Sequence, residues 1–532
     1  MNWLMDLVFK KRLEQQTDHY INTIKVAPAL RVRRKATNFI QELLSVHSAA
    51  KATLGLTPWG QPVSVPLKEL MTGYGLVTGS TGSGKTRFAL LIIKAFLDRM
   101  PDLDGSFGIL DPKGDLYFET LYLLKCRLAH LKKTDPLSYE RLLGKILIYD
   151  FGSRDPVSAY NILAPWPGVD PDFFAANRAD LLLDLLEGPD SISLTATSVL
   201  EKLILLLSEF KLPITQVGDV LHDNTYRRDL LRRSHNQRVK NYFSRQFAEV
   251  RRSTIEAIDR RIEALFSSES IKLAVSGTSA PDFRRFQDEG KIVLVNCFGP
   301  TIARSARRLL QRLVLSDIRQ SVFARRKKAK PFLWITDEAQ NFFTSRKVRE
   351  NMSDLLTMSR SFGSFFLFLT QNMSTAVQDR RMLNILYTNI RWSFSMRGEP
   401  GDCEFLKSAL PVTGRKPKPK ADPFSEQSFY SLNDERNLVL ANIANLPDRS
   451  GYLWFKARTD EAFPIRTADL HLPGHNRLFQ EIHPLRSNPN IGRRISRKVY
   501  EQLIREREER PEETLQRNLT ENLEQAYRRR RG

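Results

Sequence analysis

Residues 79–86 read Gly79-Ser80-Thr81-Gly82-Ser83-Gly84-Lys85-Thr86, a complete phosphate-binding loop of the form G-x-x-x-x-G-K-[ST]. The apolar run Tyr74–Thr78 precedes it and a helical pattern over Arg87–Met100 follows it. A strand, a glycine-rich turn and a helix in that order commit this part of the chain to an α/β unit. The chemistry needs these residue types at this spacing. Glycines let backbone N–H groups curl around phosphates, and the helix N-terminus adds its dipole. Lys85 then reaches the β and γ phosphates while the Thr86 hydroxyl holds Mg²⁺. Gly79 to Thr86 are therefore the expected cradle for a nucleoside triphosphate.

The same alternation extends along the chain. Apolar, β-rich runs recur at Tyr74–Thr78, Phe107–Leu110, Lys145–Tyr149, Lys291–Asn296, Phe332–Thr336, Ser364–Leu369 and Arg391–Ser395, with helical patterns between most of them. Several are apolar at nearly every position, as strands buried on both faces must be, so the expected fold is α/β around a largely parallel central sheet. Five regions follow. Residues 1–52 form an N-terminal helical segment, and 53–165 hold the first part of the core, opening with strands that turn at Trp59-Gly60-Gln61-Pro62. Residues 166–285 carry leucine at helical intervals and read as an inserted all-helical domain. Residues 286–474 return to the core, with an exposed proline-rich loop at 413–428 and closing strands at Gly451–Ala457 and Phe463–Thr467. The charged residues 475–532 read as a solvated helical tail, partly disordered and outside the core.

Charge narrows the choice of partner. The 82 Lys+Arg against 60 Asp+Glu leave a formal +22, which favours a polyanion, either nucleic acid or an anionic membrane surface. Within the helical insertion, Tyr226–Arg261 sets arginines among Tyr226, Tyr242, Phe243 and Phe247. That stretch reads either as a phosphate-gripping, base-stacking surface or as a solvated face with its aromatics turned inward. Three cysteines without C-x-x-C spacing and eight histidines without ligand spacing predict a cytoplasmic protein lacking structural zinc. The most apolar runs, Phe88–Leu97 and Val199–Leu207, fall short of the roughly 20 residues that span a bilayer. Met1–Phe9 is apolar at helical spacing, consistent with an ordinary amphipathic helix or with peripheral docking on a membrane or partner.

The second half of the expected site lies in Phe332–Asn341, FLWITDEAQN, where a buried strand delivers adjacent carboxylates to its C-terminal end. Asp337 is placed to hold the Mg²⁺ shell, and Glu338, one residue on, to polarise a water in line with the γ-phosphate. The next strand ends at Thr370-Gln371, so an amide that both donates and accepts would lie on the same sheet edge, suited to sensing the γ-phosphate or orienting water. Arg360, between those strands, and Arg397, after the following one, are candidates for an arginine finger into a neighbouring subunit's nucleotide.

The loop GSTGSGKT, the motif Leu110-Asp111-Pro112-Lys113-Gly114-Asp115, the strand FLWITDEAQN and the later FLTQN occur in an order that resembles the FtsK/HerA superfamily of DNA-pumping ATPases. LDPKGD looks most like the TraG/TraD-type conjugative coupling proteins. The resemblance runs from LGLTPWGQPVSVPL to the closing strands near residue 467. It implies a RecA-like P-loop core using ATP and Mg²⁺, an inserted helical domain, and a homo-hexameric ring around DNA. Lys85 and Thr86 carry over as phosphate and Mg²⁺ contacts, Asp337 and Glu338 as metal holder and water activator, and Gln371 as sensor. Arg360 falls where the family's finger would. Asp111 and Lys113 match the motif without a definite role.

Membrane-anchored coupling proteins begin with transmembrane helices and this chain does not, which points to a soluble variant or another branch. The first expectation is an ATP-driven DNA translocase delivering DNA or a DNA–protein complex to a type IV secretion channel, with relaxosome and channel proteins as partners. The others are a secretion ATPase that energises protein export or channel assembly, a HerA-like ATPase in DNA-end processing, and a non-hydrolysing nucleotide-gated scaffold.

Overall fold

The computed structural model describes residue 41 and residues 50–509, apart from 167, 187–193, 328, 344–345, 378, 420–426 and 457. The expected N-terminal helical segment, including Met1–Phe9, and the tail beyond 509 lie outside the described residues.

The strands are β1 (Lys51–Leu56), β2 (Pro62–Pro66), β3 (Tyr74–Thr78), β4 (Ser106–Asp111), β5 (Ile146–Asp150), β6 (Ile292–Asn296), β7 (Phe332–Thr336), β8 (Ser364–Thr370), β9 (Ile390–Met396), β10 (Ser450–Phe455) and β11 (Phe463–Thr467). They form one sheet in the order β2-β1-β11-β10-β9-β3-β8-β7-β4-β6-β5. From β9 to β5 every neighbouring pair is parallel, so these strands all end on the same edge. The remaining four continue the sheet as an antiparallel extension. The expected largely parallel α/β sheet is what the chain forms.

Burial explains why those runs are apolar at nearly every position. Val77, Ile109, Leu294, Leu333 and Leu367 face the layer of α1 (Lys85–Arg99) and α2 (Asp115–Thr134), whereas Leu76, Leu110, Val293, Trp334 and Phe366 belong to the core on the other side. Successive side chains point to opposite faces, and here both faces are covered.

The second face is covered partly by the insertion, which contains α3 (Pro171–Leu186), α4 (Leu194–Glu209), α5 (Asn224–Arg233) and α6 (Arg252–Leu265), and partly by α7 (Arg304–Phe323). No strand occurs among the described residues of 166–285. Insertion and core are joined by a buried ion pair between Arg178 on α3 and Asp317 on α7, both fully buried. Tyr160 Oη and Trp166 Nε1 also donate to Asp317, and the Arg178 guanidinium lies over the Trp166 and Phe174 rings. In the basic stretch Tyr242, Phe243 and Phe247 are buried, and Arg227 stacks on Phe247 while donating to the Val220 and Leu221 carbonyls. Arg232 and Arg233 pair with Asp229, and Arg238 with Asp172. The three aromatics are turned inward, while Arg232, Arg238, Arg252 and Arg260 remain exposed.

One expectation is corrected. The charged segment from 475 onward is part of the core as far as it is described. Helix α8 (His475–Arg486) packs Leu478, Ile482 and Leu485 into the core beside α2. Arg486 pairs with the buried Asp150 at the end of β5. Arg494, 1% exposed, donates to the carbonyls of Leu485, Arg486, Asn488 and Ile491 and so closes the helix. Ile495 then bridges to Val157, and Tyr500 on α9 (Arg497–Glu509) is buried against Val157. The apolar positions are few, and the arginines beside them, which look like solvent charges, serve as buried donors.

Candidate active site

Every element of the site leaves the sheet at the C-terminal edge of its parallel strands, where open α/β sheets bind ligands. The phosphate loop follows β3 and feeds α1, whose N-cap Gly84 has φ +108°, a conformation closed to other residues without strain. Lys85 curls back into the loop, its Nζ donating to the carbonyls of Gly79 at 2.7 Å and Ser80 at 2.9 Å. Burial pulls its pKa down to about 8, against the opposing pull of Asp337.

From β7, Asp337 is buried and Glu338 half-buried. Glu338 sits at φ +50°, a left-handed conformation that costs a non-glycine residue on the order of 1–2 kcal/mol and that clusters at working sites. The turn gives the Glu338 carboxylate several partners: Lys113 Nζ and Gln371 Nε2 both meet Oε1, and Gln340 Nε2 meets Oε2. Gln371 accepts from Thr81 Oγ1 at 2.7 Å, so the phosphate loop is connected through Gln371 to Glu338. Gln340 in turn accepts from Thr370 at 3.0 Å, tying the ends of β7 and β8 together.

Asp111 gives the LDPKGD motif a structural reason. Its carboxylate accepts the backbone N–H groups of Lys113 and Tyr117, both at 2.8 Å, shaping the turn that aims Lys113 at Glu338. Burial and the Asp111 charge push Asp337 up to about 7, with Lys113 opposing. A cation bound there would favour the carboxylate form.

The residues fit a magnesium nucleotide. Gly82 has φ +79° with open space where a side chain would stand, and the buried Ser83 Oγ has no hydrogen-bond partner among the described residues. The loop thus offers backbone donors, an ammonium and free room, and Thr86 and Asp337 are the side chains that would supply oxygen to Mg²⁺.

The structure brings together Gly79 to Thr86, Asp337, Glu338 and Gln371, along with Lys113. It does not bring Arg360 to them. Arg360 is exposed on the turn Ser359–Phe362 that enters β8, at the opposite edge of the sheet. Arg397 borders its own chain's loop: its carbonyl accepts from Ser80 N at 2.7 Å, and its side chain pairs with Asp448. Sequence reasoning missed Arg449, whose N–H donates to the Ser83 carbonyl at 2.7 Å and whose side chain packs over Gly84. No local motif marks it, because it reaches the loop from the antiparallel extension.

Strand order, loop and acidic turn together define a RecA-like P-loop nucleotide-binding fold. No protein-family profile matches the chain, and no curated protein sequence does. Solved structures do. The bacterial conjugative coupling protein TrwBdeltaN70, in its unbound monoclinic form, superimposes with a TM-score of 0.50 at 15% identity, covering 85% of this chain and 93% of its own. VirB4 of Thermoanaerobacter pseudethanolicus superimposes with a TM-score of 0.50 at 11% identity, covering 80% of this chain and 98% of its own. These likenesses establish the fold. Among the described residues no helix is long and apolar enough to cross a membrane.

Proposed function

We propose that this chain is an ATP-hydrolysing DNA translocase, the coupling ATPase of a conjugative element, which delivers DNA or a DNA–protein complex to a type IV secretion channel. The observation that carries the reading is the Glu338 carboxylate, set in a strained turn one residue beyond Asp337 and linked through Gln371 to Thr81 of the phosphate loop. A nucleotide-gated scaffold has no use for that carboxylate. In the proposed reaction Lys85 holds the β and γ phosphates, and Glu338 accepts a proton from the attacking water that Gln371 orients. Thr86 and Asp337 would hold Mg²⁺, which would supply charge neutralisation at the phosphates.

Arg360, exposed at the far edge, acts in this reading on the nucleotide of the next subunit in a homo-hexameric ring. The formal +22 suits DNA as cargo, and relaxosome and channel proteins are the expected partners, with peripheral association at the inner face of the membrane. The five proposed regions are kept with shifted edges: the core opens at Lys51 with β1, the helix Phe283–Asp288 crosses the boundary proposed at 285/286, and His475–Tyr500 packs on the core. A second reading, a secretion ATPase that energises protein export or channel assembly, is favoured by the equal superposition on VirB4. The test is ATP hydrolysis with and without single- and double-stranded DNA. Stimulation by either is the expected result, and a rate indifferent to both favours the secretion ATPase.

A further inference from the structure

The turn that carries Arg360 is held with unusual care for a surface turn. It ends at Gly363, in a left-handed conformation at φ +67°, where a Cβ would stand 2.4 Å from the Ala329 carbonyl oxygen. The Gly363 carbonyl accepts from Phe332 N and from the buried Arg325 guanidinium, which also donates to Ser364 Oγ and the Lys330 carbonyl. Ser364 Oγ donates to Gln287. These contacts fix the far side of the turn, beyond Arg360.

The near side is fixed from β3. Tyr74, the first residue of that strand and fully buried, lies with its hydroxyl 2.6 Å from Ser359 Oγ and 2.8 Å from the Leu355 carbonyl. Ser359 Oγ also lies 2.8 Å from the Ser364 carbonyl, so the two hydroxyl protons are shared among three contacts that join Tyr74, Ser359, Leu355 and Ser364. Burial pushes the Tyr74 hydroxyl up to about 12, which keeps it a proton donor at any working pH. Phe366 and Phe368 flank the ring with centroids at 6.4 Å, fixing its orientation. Tyr74 and the phosphate loop are thus opposite ends of one short strand, separated by roughly 15 Å at the usual rise per residue.

We infer that Tyr74 is a positioning residue for Arg360: its hydroxyl locks Ser359, and through Ser359 sets the direction in which Arg360 leaves the turn. The inference rests on the reading of Arg360 as a finger acting on the next subunit. It adds a route by which one strand is rigidly connected to both its own nucleotide loop and the cation offered to a neighbour. A turn free to shift by an ångström would present that cation out of line, and misplacements of that size cost on the order of 10²-fold in rate.

The test is Tyr74→Phe in the full-length protein, which removes one hydroxyl and keeps the ring. Nucleotide affinity and melting temperature are expected to stay near wild type, while kcat falls on the order of tenfold to a hundredfold. Mixed with Glu338→Gln protein, Tyr74→Phe is expected to recover activity, because the Gln subunits supply correctly held Arg360. Mixed with Arg360→Ala protein it is expected to recover none, since neither subunit offers a well-placed finger. Ser359→Ala serves as the second variant should Tyr74→Phe fold poorly, with the same pattern expected. Wild-type turnover in both variants while Arg360→Ala collapses would overturn the inference alone. Wild-type turnover in Arg360→Ala would instead remove the finger reading beneath it.

Discussion

The two edges of the parallel sheet are built to opposite specifications. At the C-terminal edge Glu338 is strained at φ +50°, its carboxylate is shared among Lys113, Gln340 and Gln371, and Asp337 and Lys85 are pushed by burial to about 7 and about 8. At the N-terminal edge, around Arg360, the glycine sits where glycine belongs and Arg325, Ser364, Gln287, Tyr74 and Ser359 are joined by hydrogen bonds. One edge holds groups that can exchange partners when a ligand arrives. The other holds the turn that carries the exposed Arg360 in place. A fold that must respond to its own nucleotide while presenting a fixed group to a neighbour has reason to separate those tasks.

If that contrast is right, changes at the first edge cost activity and spare stability, and changes at the second do the reverse or act at a distance. The largest effect is expected at the first edge. Lys85→Ala should abolish nucleotide binding, measured by titration calorimetry, whereas Glu338→Gln should bind normally and hydrolyse on the order of 10³-fold more slowly. A Gln variant turning over at the wild-type rate would mean that the acidic strand has been misread.

At the second edge Arg325→Met should leave Asp288 unpaired and the Gly363 carbonyl short of a donor, lowering the unfolding free energy by about 3 kcal/mol with nucleotide affinity unchanged. Denaturant titration with and without nucleotide separates the two quantities. The loss should be the same with and without nucleotide, and a larger loss with nucleotide, meaning weakened binding, would erase the distinction between the edges. A finer probe compares Glu338→Gly with Glu338→Ala, which remove the same carboxylate. The glycine variant should be more stable by about 0.5–1 kcal/mol, because only alanine retains the left-handed strain.

The smallest effect is expected away from both edges. Arg232, Arg233 and Arg238 already pair with Asp229 and Asp172. Neutralising all three should change the salt slope of DNA binding by no more than about one phosphate contact. A drop of about three contacts would place the helical insertion on the DNA path.

The parallel strands β3, β4, β6, β7 and β8 were legible because both faces of the sheet are buried there, so each reads as a mostly apolar run between polar ends. The phosphate loop and Asp337-Glu338 were legible because each is a contiguous motif whose neighbours in sequence are its neighbours in space. Arg449 and the role of Asp111 were not, since their meaning depends on contacts between distant segments. The segment 475–509 misled for a physical reason: Leu478, Ile482 and Leu485 supply a narrow apolar stripe, and buried arginines such as Arg494 look like surface charge until their carbonyl partners are seen. Arg360 was legible as a candidate, but only the strand order shows that it lies across the sheet from its own chain's nucleotide loop.

That separation leads to the most direct test, because a nucleotide site completed by the far edge of another subunit can be reassembled from two broken proteins. Arg360→Ala and Glu338→Gln should each bind ATP and hydrolyse it poorly, with the arginine loss alone costing on the order of 10³-fold. Mixed under conditions of verified subunit exchange, they should regain partial ATPase activity at interfaces where an intact Glu338 meets an intact Arg360. Exchange without any return of activity would contradict the account, and Arg360 would then have no part in a neighbour's site.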